Sequence, residues 1–240
     1  MDEMTLFCVP YAGGSAAVYD KWKKYADGRI KIVPVELAGK GRRFNENPYD
    51  KMEDAVDDVY ETIKKSIDKP YGLFGHSMGG MITYELAHKI SNSSLPNPEH
   101  IFVSGIRPPH LWKDRKIIYM LPDKEFKEEI IDMGGTPKEI FENKELLDLF
   151  LPIIKKDFKI VDKHIYDEKN PLNIEMTVFY GDEEEINDNE ANQWGIHTNK
   201  KCRIFKINGN HFFINDETEK VVDIINDIVI NNYKSCLSVG

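Results

Sequence analysis

The sequence predicts an α/β fold, a mostly parallel sheet flanked by helices. Three observations predict it. Short apolar runs alternate with helix-period segments through the first hundred residues, and the alternation resumes after residue 173. The runs are four to seven residues long, the length of buried strands rather than of core helices. Glycine- and proline-containing turns separate several of them. In chain order, strands are expected at residues 4–9, 30–35, 71–75, 101–104, 174–180 and 202–207. Helices are expected at 16–26, 52–67, 78–91 and 216–232. The 52–67 helix shows its period in Met52, Val56, Val59, Tyr60, Ile63 and Ile67. Its other face carries Glu53, Asp54, Asp57, Asp58 and Glu61, a solvated surface. Between residues 107 and 168 no strand is convincing, and helical pieces are read at 123–133, 137–142, 144–151 and 152–165. Residues 1–240 are therefore expected to form one domain, with 107–168 as a helical insertion over it.

Composition bounds the function. The chain has 240 residues, 41% hydrophobic and 30% charged, enough to bury a core without disulfides or metals. Its net charge of −9 argues against a general binder of nucleic acid or anionic membranes. No apolar run approaches the roughly 18 residues that would span a bilayer. The acidic start, Met1, Asp2 and Glu3, leads straight into a strand, so no signal peptide is expected. The three cysteines, Cys8, Cys202 and Cys236, are widely spread and show no zinc spacing. A reduced, cytoplasmic protein without metal or cofactor is expected.

One motif carries chemistry. Residues 75–79, GHSMG, fit G-x-S-x-G, with a strand before and a helix after. That context lifts Ser77 to the carboxyl edge of a sheet as a nucleophile, and close backbone packing explains Gly75 and Gly79. A glycine-rich helix start with a capping serine is the structural alternative. The helix N-terminus there favours developing negative charge. A serine hydroxyl needs a base. Of the seven histidines, His211 follows the last strand and precedes the final helix, where this fold places its base. His76 is read as structural. The third member should be a carboxylate after strand 174–180, in the run Asp182, Glu183, Glu184 and Glu185. Glu184, three residues past Gly181, is the choice, and Asp182 the alternative. An oxyanion hole needs two backbone N–H groups. Met78, after the nucleophile, and Ala12, in the PYAGG turn after the first strand, are assigned that role.

The words that carry these residues also carry a resemblance. The chain resembles the type II, editing thioesterases of nonribosomal peptide and polyketide synthesis, members of the α/β-hydrolase superfamily. The resemblance rests on CVPYAGGSAAVY, VELAGKGRR, FGHSMGG and SGIRPPH, on LPDKEF, GGTP and FLPIIKKDF in the insertion, and on GNHFFI. The early AGG turn joined to a GRGxR-like loop, here Gly39, Lys40, Gly41, Arg42 and Arg43, is more specific than G-x-S-x-G. Lys40 departs from that loop's arginine, a change expected to leave the chemistry unaffected. Glu184 departs from the usual aspartate.

The resemblance implies a hydrolase that removes stalled acyl groups from the phosphopantetheine arms of acyl- or peptidyl-carrier domains, so that the synthase can be reused. It implies an α/β-hydrolase fold with 107–168 as a lid. Leu111, Trp112, Ile117, Met120, Leu121, Phe126 and Ile130 are then candidate linings of a substrate groove. Lys113, Arg115, Lys116, Lys155 and Lys156 are candidate contacts for an acidic carrier domain. No nucleic acid or membrane partner is expected, and a monomer is expected. The alternatives are a carboxylesterase or lipase with the same machinery, and a non-catalytic binding protein of this fold.

Overall fold

A computed structural model describes residues 4–67, 69–135 and 138–237. The acidic start (Met1, Asp2, Glu3), Pro137, and Ser238, Val239 and Gly240 lie outside the described residues, as does the side chain of Cys236. Six strands form one sheet: β1 (Met4–Val9), β2 (Ile30–Pro34), β3 (Tyr71–His76), β4 (His100–Ser104), β5 (Glu175–Gly181) and β6 (Cys202–Ile207). Their order is β2-β1-β3-β4-β5-β6, and every pairing is parallel. All carboxyl ends therefore point to one edge, where ligands of such sheets bind. Register sets that edge: Val9 lies beside Gly75, His76 beside Ser104, and Ser104 beside Phe179.

The central strands are buried along their whole length, which is why they read as continuous apolar runs. Alternate residues feed two cores. Phe7, Val9, Leu73, Ile101 and Val103 face one side, where they meet α1 (Met52–Ile63) and α2 (Met78–Ser91) through Val56, Val59, Ile82 and Leu86. Leu6, Cys8, Phe74, Phe102 and Phe179 face the other, against Tyr19, Trp22 and the closing helix.

Between β4 and β5 run α3 (Asp123–Met133), α4 (Lys138–Glu142) and α5 (Lys144–Lys163). They share a small core of Ile118, Phe126, Ile130 and Ile154. Expected lining residues are mostly used for packing or left on the surface. Trp112 sits in the main core, Phe126 and Ile130 in this small one, and Met120 is 74% exposed.

Some elements differ from expectation. The expected helix at 16–26 is a 3-10 helix, Ala16–Lys24. The helix from 52 tightens into a 3-10 turn at Lys64–Ser66. The break expected at residue 152 is absent, because α5 runs through Pro152. Asn143 caps its start by accepting the Glu145 and Leu146 amides, and Ile154 and Ile160 on its buried face hold it to the body. A short helix, α6 (Asp188–Asn192), was not legible in the sequence. The chain closes with α7 (Phe213–Asp216) and α8 (Thr218–Leu237).

Candidate active site

Ser77 stands between β3 and α2 with φ 53° and ψ −118°, the only non-glycine residue with positive φ among those described. Close packing enforces this turn. A Cβ at Gly75 would lie 2.0 Å from the Gly79 carbonyl oxygen, and one at Gly79 would lie 2.2 Å from that of Val9. Glycine is thus required by backbone contact, and the amino end of α2 is pressed against the end of β1. The Ser77 N–H donates to the Ser104 carbonyl, 2.8 Å, which ties the turn to β4.

The turn after β1 is arranged around its amides. Gly14 N–H donates to Tyr11 O at 2.9 Å, and Gly13 N–H donates to Asp157 Oδ2 at 2.7 Å. The Ala12 N–H has no acceptor among the described residues. Met78 opens α2, so its N–H has no partner within the helix. Two amides are thus left open where the end of β1 packs against the start of α2.

His211 follows β6. Its Nδ1 lies 3.1 Å from Glu184 Oε1, and the Glu184 side chain is 4% exposed. The other carboxylate oxygen, Oε2, is buried without a partner among the described residues. Asp182 is directed elsewhere, accepting the Gly209 N–H at 2.7 Å. Glycine also allows this approach, since a Cβ at Gly181 would lie 2.4 Å from the Gly209 carbonyl oxygen.

His76, the chain neighbour of Ser77, connects the parts. Its ring lies 4.9 Å from that of His211 and 5.8 Å from that of Tyr11, and its Nδ1 is 2.8 Å from Ser104 Oγ. Burial first, and then His211, hold its pKa well below the usual histidine range. A neutral His76 spares a charged His211 from like-charge repulsion. Phe212 packs against Tyr11 at 4.9 Å and against His211 at 5.0 Å. A Cβ at Gly135, past the end of α3, would lie 2.2 Å from the Phe212 ring, so the helical segment reaches this side of the site.

One pair of residues had no role in the sequence reading. Lys40 Nζ and Asp157 Oδ1 form an ion pair of 2.7 Å, with side chains 4% and 2% exposed. The sequence signal was available: Asp157 stands at helical spacing between Ile154 and Ile160, inside the apolar stripe of α5.

The expected basic contacts also resolve. Arg115 donates to the backbone carbonyls of Trp112, Val161 and His164, closing the end of α5. Lys116 pairs with Glu129 and Lys155 with Asp123, whereas Lys113 and Lys156 are exposed. Other histidines have partners elsewhere. His110 and His197 bond to each other at 2.9 Å, and His164 meets Glu85. A surface groove of about 980 Å³ runs past Glu85, His164 and Lys169 and includes none of Ser77, Glu184 or His211.

Comparison with known proteins places this arrangement. A family model described as a thioesterase domain matches residues 4–229. Among curated relatives, the linear gramicidin dehydrogenase LgrE of Brevibacillus parabrevis is 35% identical over 93% of this chain and 86% of its own length. Among solved structures, ClbQ from the colibactin NRPS/PKS pathway superposes with a TM-score of 0.91 at 36% identity, covering 100% of both chains. YbtT, a type II thioesterase from the yersiniabactin NRPS/PKS biosynthetic pathway, superposes with a TM-score of 0.83 at 26% identity, covering 93% of this chain and 92% of that one.

Proposed function

The chain belongs to the thioesterase domain family, and from that premise we propose that it is a stand-alone editing enzyme of nonribosomal peptide or polyketide synthesis. It is a thioester hydrolase of the α/β-hydrolase fold. Its substrates are acyl groups carried as thioesters on the phosphopantetheine arms of carrier domains. The observation that carries this reading is a thioesterase match running from residue 4 to 229, on a chain whose relatives serve such synthases.

The reaction has two halves. His211 takes the Ser77 proton as Oγ attacks the thioester carbonyl. The oxyanion is held by the N–H groups of Ala12 and Met78, and the amino end of α2 adds a favourable field. His211 returns the proton to the departing pantetheine thiol. Water, deprotonated by His211, then releases the acid from the acyl-serine. Glu184 keeps the imidazole in the tautomer that accepts at Nε2 and stabilises the imidazolium.

Residues 1–240 act as one domain, with 107–168 as the lid, in a monomeric, cytoplasmic protein. The free Cys8 and Cys202 suit a reduced compartment, and no described helix is long and apolar enough to cross a membrane. Exposed Lys113 and Lys156, rather than Arg115, are the basic contacts open to an acidic carrier domain.

The test compares hydrolysis of acetyl- and aminoacyl-phosphopantetheinyl carrier domains with that of p-nitrophenyl esters, by wild type and Ser77→Ala. Ser77-dependent release favouring carrier thioesters is expected. Activity confined to simple esters would make the protein a carboxylesterase, and undiminished turnover by folded Ser77→Ala would remove the serine mechanism.

A further inference from the structure

We infer that Asp157 is a positioning residue for the oxyanion turn, and that through it the helical segment between β4 and β5 sets the turn's catalytic geometry. The inference rests on the serine mechanism proposed above and concerns how its oxyanion donor is held.

The Ala12 N–H sits in a turn that has little rigidity of its own. Gly13 and Gly14 lack side chains, and Gly13 takes a φ of 77°. Two hydrogen bonds hold the backbone around Ala12. The Gly14 N–H to Tyr11 O bond closes the turn from within. The Gly13 N–H to Asp157 Oδ2 bond comes from outside, from a residue 144 positions away, and fixes the peptide plane between Ala12 and Gly13. Ile154, one turn earlier on α5, backs the same contact, since a Cβ at Gly13 would lie 3.1 Å from it.

Asp157 can do this only if its charge is matched. It is almost fully buried, and burial pushes its carboxyl above the usual range, against the pull of Lys40 and the Gly13 amide. Lys40 Nζ takes Oδ1, which leaves Oδ2 for Gly13. The ion pair therefore joins the 39–43 loop, α5 and the oxyanion turn at one point. A buried pair of this kind is weak evidence for stability, because well-packed apolar residues hold a fold as well. Its distinctive effect here is the directed acceptor at Gly13.

Two double variants separate the acceptor from the ion pair. Asp157→Asn with Lys40→Met removes both charges and keeps an acceptor for Gly13. Asp157→Leu with Lys40→Met removes both charges and the acceptor. Turnover on an acetyl-phosphopantetheinyl carrier domain is measured per active serine, counted with a fluorophosphonate, so that any loss of folded protein cancels. With the acceptor gone, kcat should fall about 10- to 100-fold at nearly unchanged KM, the signature of lost transition-state stabilisation. With the acceptor kept, kcat should stay within about threefold of wild type. Lys159→Ala, which removes an exposed ion pair of the same helix to Asp50, should change neither constant. Equal kcat in the two doubles, whether high or low, overturns the inference. Ser77→Ala runs alongside: if it turns over like wild type, the serine mechanism fails, which is a different result from equal doubles on a Ser77-dependent enzyme.

Discussion

Glu184 meets His211 through a hydrogen bond, Oε1 to Nδ1 at 3.1 Å, while Asp182, two residues earlier, bonds the backbone of the next loop. Glu184→Gln keeps the size of the side chain but offers an amide where the imidazole needs a carboxylate. A fall in kcat on the order of 10²–10⁴ is expected. Asp182→Asn keeps an acceptor for the Gly209 N–H and should cost less than about tenfold. Steady-state kinetics on a carrier-bound thioester decide it, and the reverse ranking would transfer the role to Asp182.

Ser77 holds a conformation that suits glycine, with φ 53°. A glycine there would remove the proposed nucleophile but relieve the backbone. Ser77→Gly should raise unfolding free energy by about 1 kcal/mol over Ser77→Ala, which keeps a Cβ in the strained turn. Urea unfolding of the two inactive proteins measures the difference. Equal midpoints would mean that the turn carries no strain.

Gly79 faces backbone rather than a movable side chain, with its Cβ position 2.2 Å from Val9 O. Gly79→Ala must push α2 away from β1 and should cost more than about 3 kcal/mol or prevent folding. Gly28, whose Cβ would meet nothing within 4 Å, is the control. Gly28→Ala should stay within about 1 kcal/mol of wild type in the same denaturation experiment.

Several histidines are buried in neutral form. Burial depresses the pKa of His88 and His197 to about 4 and that of His100 to about 3, and His76 lies well below the usual value. The folded values are below the unfolded value of about 6.5, so the unfolded chain binds more protons as pH falls. Stability is therefore full above about pH 7 and declines as pH drops from 6.5 towards 4, by up to about 1.4 kcal/mol per pH unit for each such group. Melting temperatures taken between about pH 7.5 and 5 should fall on the acid side. A flat profile over that range would contradict neutral burial.

Much of the fold was legible because strands buried on both faces must be short and apolar throughout. The β1 run, MTLFCV, begins and ends where the sequence places it. Helix ends were less legible. Pro152 reads as a break, yet tertiary contacts from Ile154 and Ile160 carry α5 through it. At the site, chain order separates Ser77, a carboxylate and His211, and the spacing from Gly181 favours Glu184 over Asp182; which of the two faces His211 depends on how each side chain leaves one loop. The pairing of Lys40 with Asp157 was illegible for another reason. It spans 117 positions, so the apolar stripe of α5 marks Asp157 as buried without naming its partner.

The parallel sheet has a consequence for how activity is acquired. Ala12, Ser77, Glu184 and His211 follow β1, β3, β5 and β6, so the proposed site is gathered from strands spread between the first and the last. No fragment that ends before β6 holds all four residues of the proposed site. Turnover is thus a reporter of completed topology: a chain can have its helices and most of its sheet and still be silent.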